Sequence, residues 1–455
     1  MDTKIYGILK YENEERSFVY QDWNLTILPN KIKMDSNQRK RFFEKINNPK
    51  YVIGTIELFG MTHDHKNLLF KVPELCSQIE NLIHYSVISI SIFDSHKNDY
   101  SIEGISIQGD IINSFYPPEE VFKHKNLEEQ DGNFEFSLVT ENLKSPLIEV
   151  NIKSKKLDIE INFSTTTKYN HNSTIPFQSY SNMILRFSSA ITVEQTIEII
   201  FDLMNFYSLI NYSLEIGLDR ISILEFSDDK YIESGYLLIK SLTTGLKISR
   251  SREDVIFNDF VNDINNLKNI INLYLNEHLN NRFIAENLSV QKSISSSRVI
   301  QVTAAYEKYL EDVFGLQVIS QKYYDAKNDI LGFIDIKIQE ISTKETRSFK
   351  SIRNLVNRHV PLNEKLGYLK KSDIDFVDMV ETIFGEKLYS DTMLFDRLSM
   401  IRNSIAHGDV SIDITTKDIR RIRYLIVCVY YLFFLKANVS SDMRKLLVKK
   451  IFSKT

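Results

Sequence analysis

Cysteine, tryptophan and proline are scarce in this sequence. Its 455 residues include two cysteines, one tryptophan and eight prolines. The cysteines, Cys76 and Cys428, lie far apart, and two residues cannot build a disulfide framework. We therefore expect both to be small buried hydrophobic side chains, as is usual for proteins kept in a reducing cytosol.

Long apolar runs are absent as well. The longest, residues 424–435, has 12 residues, whereas a membrane-spanning helix needs about 20. We therefore expect residues 424–435 to form a buried core helix. The N-terminus, MDTKIYGILKYENEERS, lacks a basic segment followed by an apolar core, which is the pattern of a secretory signal. The sequence thus predicts a cytoplasmic protein with no membrane partner.

Several motifs for nucleotide and ester chemistry are missing. No G-x-x-x-x-G-K-[ST], G-x-G-x-x-G or G-x-S-x-G occurs, so ATP-driven, dinucleotide-dependent and serine-hydrolase mechanisms have no support. His63 and His65 are spaced as a metal-ligand pair, but no cysteine lies beside them and no second pair follows. We interpret them as part of a surface turn, and we predict no metal site and no cofactor.

Charge is distributed unevenly along the chain. Residues 291–455 contain 27 Lys and Arg against 20 Asp and Glu, a net charge of +7; the remainder has 29 against 40, or −11. A basic C-terminal third on an acidic body suits a polyanion partner such as RNA. An ordinary solvated surface explains the same distribution equally well.

Hydrophobic periodicity changes near the middle of the chain. In the first 190 residues, segments such as YVIGTIELFG and YSVISISIFD alternate apolar and polar residues, which predicts strands. The segment IEVNIKSKKLDIEINF predicts a hairpin with its turn at 153–156. A helix is predicted from Ile191, capped by Thr192, after which strands resume at RISILEFS and GYLLIKSL.

From Asp254 onward the apolar spacing is helical almost throughout. We therefore predict an α+β fold in which a β-rich N-terminal domain precedes an all-α helical bundle. The expected division is a β-rich sensor or regulatory domain over 1–250, a helical connector over 251–290 and a helical domain over 291–455.

The segment LFDRLSMIRNSIAHGD contains the clearest candidate site. On a helical wheel, one stripe of the predicted helix faces the core: Leu394, Leu398, Ile401 and Ile405. Asn403 and His407, four residues apart, share a face nearly opposite this stripe, and Arg402 lies on a flank. Gly408 is a natural residue to end the helix just after the histidine.

The three off-stripe side chains suit phosphodiester cleavage. A histidine in the last turn lies at the negative end of the helix dipole, which favours its cationic form, and it can exchange a proton near neutral pH. The planar guanidinium of Arg402 matches phosphate oxygens, and Asn403 can orient a 2′-hydroxyl or the imidazole. Arg402 and His407 lie roughly 140° apart around the helix. We therefore predict a homodimer whose two-fold partner completes a composite cleft.

Two further basic segments could contact RNA. IRNLVNRH contains Arg353, Asn354 and His359, but its Arg–His spacing is longer and no Gly-Asp follows, so we interpret it as a basic helix with Arg353 and Arg358 on an RNA-binding surface at most. KDIRRIRYL adds a cationic run directly after the motif loop: Lys417, Arg420, Arg421 and Arg423. This run could grip an RNA backbone. A basic N-terminal edge on a buried helix is the equal alternative.

MIRNSIAHGD resembles the R-N-x-x-x-H signature of the HEPN ribonuclease superfamily, whose domains are small helical bundles that dimerise around that motif. The apolar helix that follows, IRYLIVCVYYLFF, fits the family pattern. RVIQVTAAYEKYLEDVF resembles the leading helix of these domains and has Glu307 where an acidic residue is common. The N-terminal half is similar to the β-rich domain of ApeA-type anti-phage proteins, in YGILKY, YVIGTIELFG and IEGISIQGDIINSF.

The resemblance implies a metal-independent endoribonuclease that leaves 2′,3′-cyclic phosphate ends. Such enzymes often cut tRNA anticodon loops and halt the growth of an infected bacterium. By motif match, Arg402, Asn403 and His407 take the catalytic roles, with Glu307 in a supporting one, and the β-rich domain would bind a phage-derived activator or restrain the nuclease. Two alternatives stay open: a catalytically silent HEPN module that binds RNA or protein, and the toxin partner of a separate nucleotidyltransferase. The long β-rich front argues against the latter, because such partners are usually short.

Overall fold

The fold was analysed from a computed structural model. The residues that it describes are 4–28, 54–79, 82–94, 100–126, 136–140, 143–169, 177–227, 230–243, 254–277, 279, 281–285, 294–315, 321–341, 346–358, 362–369, 374–385, 391, 393–408 and 413–452.

Strands dominate the N-terminal half. In chain order they are β1 Ile5–Tyr11, β2 Glu14–Gln21, β3 Asn24–Ile27, β4 Thr55–Thr62, β5 Asn67–Pro73, β6 Ser77–Ile79, β7 Leu82–Ser86, β8 Ser89–Phe93, β9 Ile102–Gln108, β10 Phe122–Asn126, β11 Phe136–Thr140, β12 Ile148–Ile152, β13 Leu157–Tyr169, β14 Phe177–Ile191, β15 Arg220–Ser227 and β16 Lys230–Ile239.

Fourteen strands form one antiparallel sheet in the order β12-β13-β14-β9-β15-β16-β8-β5-β4-β1-β2-β3-β7-β6, and β10 pairs with β11 separately. The predicted hairpin is confirmed: Ile152 pairs with Leu157 across the turn at 153–156. Along β12 the burial alternates, with Ile148, Val150 and Ile152 inward, because successive side chains of a strand point to opposite faces.

Helices follow in the C-terminal half, after three that are interspersed with the strands. They are α1 Asp110–Phe115, α2 Val193–Asn211, α3 Lys240–Thr243, α4 Ile264–Glu277, α5 Ser296–Phe314, α6 Gln321–Glu340, α7 Thr346–Arg358, α8 Leu362–Leu366, α9 Ile374–Phe384, α10 Leu394–Ala406, α11 Thr416–Lys436 and α12 Ser441–Phe452.

The α+β prediction is confirmed, because a β-sheet region precedes an all-helical region. Thr192 caps α2 as expected, and its hydroxyl accepts the backbone N–H of Gln195 while the Gln195 side chain accepts the N–H of Thr192. This reciprocal pair satisfies two of the amide groups that a helix N-terminus leaves unbonded.

Two hydrophobic cores stabilise the chain. One lies on strands β1–β5, β7 and β8, with Leu9, Phe18 and Phe70 among its buried members. The other runs from β9 and β12–β16 into the helices without interruption. Its centre is α11, in which almost every residue over 424–435 is buried, as the apolar run predicted. Among the described residues, no helix is long and apolar enough to span a membrane.

The second core crosses the predicted boundaries at 250 and 290. The hydroxyl of Tyr430 in α11 donates to the carbonyl of Leu209 in α2 at 3.0 Å. Asn276 of α4 donates to the carbonyl of Asn151 in β12 at 2.9 Å and accepts the backbone N–H of Lys153 at 3.0 Å. The segment expected to be a connector therefore packs between sheet and helices, while the division into domains stays a prediction.

The two cysteines differ in their surroundings. Cys428 is fully buried in α11, as expected, and burial raises its thiol pKa well above the ordinary value. Cys76 is only half-buried, so the expectation that it is a buried hydrophobic residue is wrong. It lies beside Tyr85 and directly before β6, the edge strand of the sheet.

Candidate active site

The helix that bears the motif packs through its predicted stripe. Leu394, Leu398 and Ile401 are buried, and Ile405 is half-buried against the same core. Helix α10 packs against α5, α8 and α11. The helical spacing of the apolar residues therefore predicted the orientation of α10 correctly, which fixes the direction of the polar side chains between them.

The helix ends at the histidine, as predicted. The backbone N–H of His407 donates to the carbonyl of Asn403 at 2.9 Å, and that of Gly408 donates to the carbonyl of Ile405 at 3.1 Å. Gly408 has φ +75°, a left-handed conformation that glycine adopts without the steric cost other residues bear. Helix α10 therefore ends at Ala406, with His407 as its C-cap residue.

Replacing Gly408 should therefore weaken the helix end. An alanine finds no steric obstacle from other residues, so the expected loss, about 1 kcal/mol of unfolding free energy, comes from the positive φ alone. Urea denaturation of Gly408→Ala measures it. Gly408→Asn is the matched control and should lose less, because asparagine tolerates this conformation better. Equal losses in the two variants would contradict this explanation.

The motif side chains are accessible. Asn403 and His407 are exposed and Arg402 is half-buried. One guanidinium N–H of Arg402 (Nη1) donates to Oδ1 of Asn403 at 3.1 Å, so these two groups are brought together within one chain. His407 follows Asn403 by one turn on the same face. The structure shows no hydrogen bond between the imidazole and Arg402 or Asn403 among the described residues.

Arg402 differs from its neighbouring arginines in its electrostatic environment. In the described part of the chain, no carboxylate lies within ion-pair distance of its guanidinium. By contrast, Arg397, five residues earlier on α10, contacts both oxygens of Asp418, at 3.0 and 2.8 Å. The charge of Arg397 is thus neutralised within the fold, whereas no carboxylate among the described residues neutralises that of Arg402.

A buried ion cluster lies behind the motif. Asp418, almost fully buried in the first turn of α11, accepts hydrogen bonds from Arg397, from Arg421 and from Thr415, whose hydroxyl caps the helix. Arg421 also pairs with Asp391 at 2.7 Å. Arg397 further donates to the backbone carbonyl of Asp413 at 2.9 Å, so the cluster ties α10 to the start of α11.

The cluster changes the acidity of its carboxyl groups. Burial alone would raise the pKa of Asp418, but hydrogen bonds from Arg397, Thr415 and Arg421 outweigh it and hold that pKa well below its ordinary value. At Asp391, the hydrogen bond and charge of Arg421 likewise outweigh burial and lower the pKa. Both groups are therefore anionic at neutral pH and neutralise the arginines between them.

The cluster also corrects one expectation. Arg421 was expected to be available to RNA, but its side chain is buried and pairs with Asp391 and Asp418. A buried arginine held by two carboxylates is not an accessible phosphate contact, so Arg421 is removed from the candidate RNA-binding residues.

The role of Asp418 could have been found from the sequence. The segment T-T-K-D has the form of a capping box, in which Thr415 is followed three positions later by an acidic residue.

The other cations after the motif differ in exposure. Lys417 is exposed and lies 3.5 Å from Asp391. Arg420 is exposed and donates to the carbonyl of Phe384, and Arg423 is half-buried. Arg420 and Arg423 line a cleft of about 600 Å³ between α9, α11 and Phe452.

The remaining candidate residues lie on neighbouring helices. Glu307 on α5 accepts a hydrogen bond from Lys365 at 2.6 Å, which connects α5 to α8. The guanidinium of Arg353 already has a partner, because it donates to both carboxylate oxygens of Asp335, at 2.5 and 3.0 Å. The side chain of Arg358 and the whole of His359 lie outside the described residues.

The histidine pair of the N-terminal half is in a surface turn. His63 and His65 are exposed in the connection between β4 and β5, and His65 has φ +62°. Within the described ranges, no group of three or more His, Cys, Asp or Glu side chains is arranged to hold a metal ion.

Comparison with known proteins adds no identification. No family model, curated protein or solved structure matches the chain. The resemblance to HEPN ribonucleases therefore depends on the residues described above.

Proposed function

We propose that this chain is a metal-independent endoribonuclease of the HEPN type that cleaves tRNA in the bacterial cytoplasm. The observation that supports this proposal is the state of Arg402: no described carboxylate pairs with it, it bonds Asn403, and it lies one helical turn and a half from an exposed His407. A cation, an amide and an imidazole on one accessible helix end suit a phosphodiester substrate.

Each group has a distinct role in the proposed reaction. The 2′-hydroxyl of the ribose attacks the adjacent phosphorus, a P–O bond forms, and the bond to the 5′-oxygen of the next nucleotide breaks, which leaves a 2′,3′-cyclic phosphate and a 5′-hydroxyl. The imidazole of His407 takes the proton of the 2′-hydroxyl and then supplies a proton to the leaving 5′-oxygen, so that the step neither gains nor loses a proton. Arg402 binds the non-bridging oxygens, where negative charge accumulates, and Asn403 orients the ribose.

A second copy of the chain completes the proposed site. Arg402 and His407 are roughly 140° apart around α10, so one chain presents them in different directions. A two-fold axis beside α10 would place Arg402 of one copy opposite His407 of the other. In this proposal the β-rich region senses a phage-derived activator or restrains the nuclease, so that cleavage halts the growth of an infected cell.

The experiment is cleavage of total bacterial tRNA by purified protein in excess EDTA, with the RNA ends mapped. We expect wild type to produce discrete fragments with cyclic phosphate ends and His407→Ala to produce none. His63→Ala is the matched control, because His63 is also an exposed histidine but lies in the N-terminal half. Its cleavage should equal that of wild type.

Three results would contradict the proposal. Cleavage that EDTA abolishes would assign the chemistry to a metal ion. Equal cleavage by wild type and His407→Ala would assign it to another site or a contaminant. If wild type binds tRNA but does not cleave it, even with lysate from phage-infected cells, the protein is a silent RNA-binding module.

A further inference from the structure

A cleft lies on the side of α11 that faces away from the ion cluster. It is the cleft of about 600 Å³ between α9, α11 and Phe452, which we name the arginine cleft. Its four residues on α11 lie within an arc of about 100° around the helix: Thr416, Ile419, Arg420 and Arg423. Asp418 and Arg421 of the ion cluster lie on the opposite face. The volume is within the range of about 300–1,000 Å³ that is usual for sites that bind small ligands.

Most of the lining of the arginine cleft is apolar and is held in place by packing. Four apolar side chains line it: Ile383 and Phe384 at the end of α9, Ile419 and Phe452. The ring of Phe452 is buried, and its centroid lies 5.2 Å from that of Tyr212 and 5.0 Å from that of Tyr430. The apolar surface is therefore part of the folded core and does not need a ligand to form.

Two guanidinium groups add positive charge to this apolar surface. Arg420 is exposed and donates to the carbonyl of Phe384, which holds its side chain at the cleft. An arginine has five N–H donors, so this bond leaves others for a ligand. Arg423 is half-buried and lines the same cleft one turn further along α11. Among the described residues, no Asp or Glu lines the cleft. It therefore suits an anion that has an apolar part.

A second cleft of similar size has a different lining. It measures about 590 Å³ and lies between the β12–β13 hairpin and α4. Three carboxylates line it, from Glu149, Asp158 and Glu160, together with the cations Lys153 and Lys268. Its carboxylates would repel an anion. Cationic groups beside an apolar surface are therefore a property of the arginine cleft and not of both clefts.

The charge and the lining of the arginine cleft indicate the class of its ligand. A phosphate monoester has a charge of about −1.5 to −2 at neutral pH, which two guanidinium groups match better than they match a single carboxylate. An aromatic base packs well on apolar and aromatic side chains such as Phe384. Thr416 and Arg420 are exposed, so the cleft is open to water on that side. This suits the polar edges of a base and does not suit an apolar chain.

We propose that the arginine cleft binds a nucleoside monophosphate, with the phosphate on Arg420 and Arg423 and the base on the apolar lining. The recognised chemistry is the same whether the nucleotide is free or is the phosphorylated end of an RNA chain. The binding does not depend on the proposed cleavage reaction, because the cleft lies on the face of α11 opposite the ion cluster and is separate from the motif on α10.

The first test is calorimetric titration of the purified full-length protein with AMP, GMP, CMP and UMP. We expect at least one nucleotide to bind at least about tenfold more tightly than its nucleoside and than inorganic phosphate. The double variant Arg420→Ala/Arg423→Ala should bind it at least about tenfold more weakly. Arg347→Ala is the matched control and should bind as wild type does, because Arg347 is an exposed arginine on α7. Circular dichroism melting establishes that the double variant is folded.

Competition with RNA distinguishes the two sources of the nucleotide. A five-residue RNA with a 3′-phosphate is added to the protein with its bound nucleotide, and the same RNA without the phosphate is the control. Displacement by the phosphorylated RNA alone would identify an RNA end as a ligand. No displacement by either RNA would identify the free nucleotide as the ligand. Both results support the proposed site.

Thr416→Glu tests the cleft while both arginines stay in place. Thr416 is exposed in the first turn of α11, where an acidic residue is favourable for the helix dipole, so the variant should fold. Its carboxylate adds negative charge beside the proposed phosphate position, and we expect binding to weaken at least about fivefold. Thr416→Gln is the matched control and should bind as wild type does, because it adds similar bulk without charge.

Three results would overturn the proposed site. One is no binding of any of the four nucleotides at about 1 mM, a concentration that half-fills a site with a Kd of about 1 mM. Another is binding that neither the double arginine variant nor Thr416→Glu weakens. The third is equal affinity for a nucleotide and for inorganic phosphate, because the apolar lining would then take no part. Nucleotide binding without RNA cleavage would support the site and contradict only the proposed function.

Discussion

Asp418→Ala is expected to lower the free energy of unfolding by about 3–5 kcal/mol, because it leaves Arg397 without a carboxylate partner and Arg421 with Asp391 alone. The same change removes the two hydrogen bonds that the Asp418 carboxylate accepts from the backbone N–H and the hydroxyl of Thr415. Urea denaturation followed by circular dichroism measures the loss. Asp413→Ala is the control: Asp413 is exposed, and the backbone carbonyl that Arg397 binds is retained. A small loss for Asp418→Ala, equal to that of the control, would show that the cluster does not stabilise the fold.

The same residue makes stability depend on pH. Its pKa is lower in the folded protein than in the unfolded chain, where an aspartate titrates near about 3.9. The anionic form therefore favours folding: its stabilisation is complete above the unfolded value and is lost as the pH falls toward the folded value. Wild type should lose stability on acidification below about pH 5, and Asp418→Asn should lack this component of the loss. Parallel pH profiles for the two proteins would contradict the assignment.

Arg402→Ala and His407→Ala are each expected to reduce RNA cleavage by about 100- to 10,000-fold and to abolish toxicity in bacteria. Both side chains lie off the buried stripe of α10, and the structure shows no ion pair for either among the described residues. The melting temperature should therefore stay within about 2 °C of wild type. Cleavage assays, growth curves and thermal melts on the same proteins measure the two effects.

The neighbouring arginine provides a sharp contrast. Arg397→Ala should lose both stability and activity, because Arg397 ties α10 to Asp418 and to the carbonyl of Asp413. Arg402→Lys retains the charge at 402 but not the planar fork, so we expect activity between those of wild type and Arg402→Ala. If Arg402→Ala or His407→Ala unfolds the protein, the exposure of these side chains has been misjudged.

The orientation of the motif helix could be predicted because local information determines it. The apolar spacing over Leu394–Ala406 set the buried stripe, and Gly408 set the helix end, since only the left-handed conformation of that residue closes the turn. The hairpin at 153–156 and the cap at Thr192 were predictable for the same reason. Each depends on residues within a few positions of one another.

Arg421 could not be assigned correctly from local information. Its position in KDIRRIRYL shows a cation in a basic run, but its environment is made by Asp391, 30 residues earlier in the chain, and by a capping residue one turn before it. Only the packing of α10 against α11 brings these groups together. The continuous core between the sheet and the helices could not be predicted either. The change of hydrophobic periodicity near residue 250 indicates where strands give way to helices, but it does not indicate which of their surfaces pack together.

Helix α11 connects the two halves of the molecule, because its residues contact both the ion cluster beside α10 and helix α2. Its 21 residues span about 30 Å. Its first turn holds the ion cluster behind the motif, and Tyr430, further along, bonds the end of α2 beside the sheet. The two regions are thus joined by packed structure rather than by a tether. If the β-rich region binds an activator, as in the proposed function, the signal would reach the motif as a displacement of one helix, and regulation would depend on small shifts of packed structure and not on the release of a separate domain.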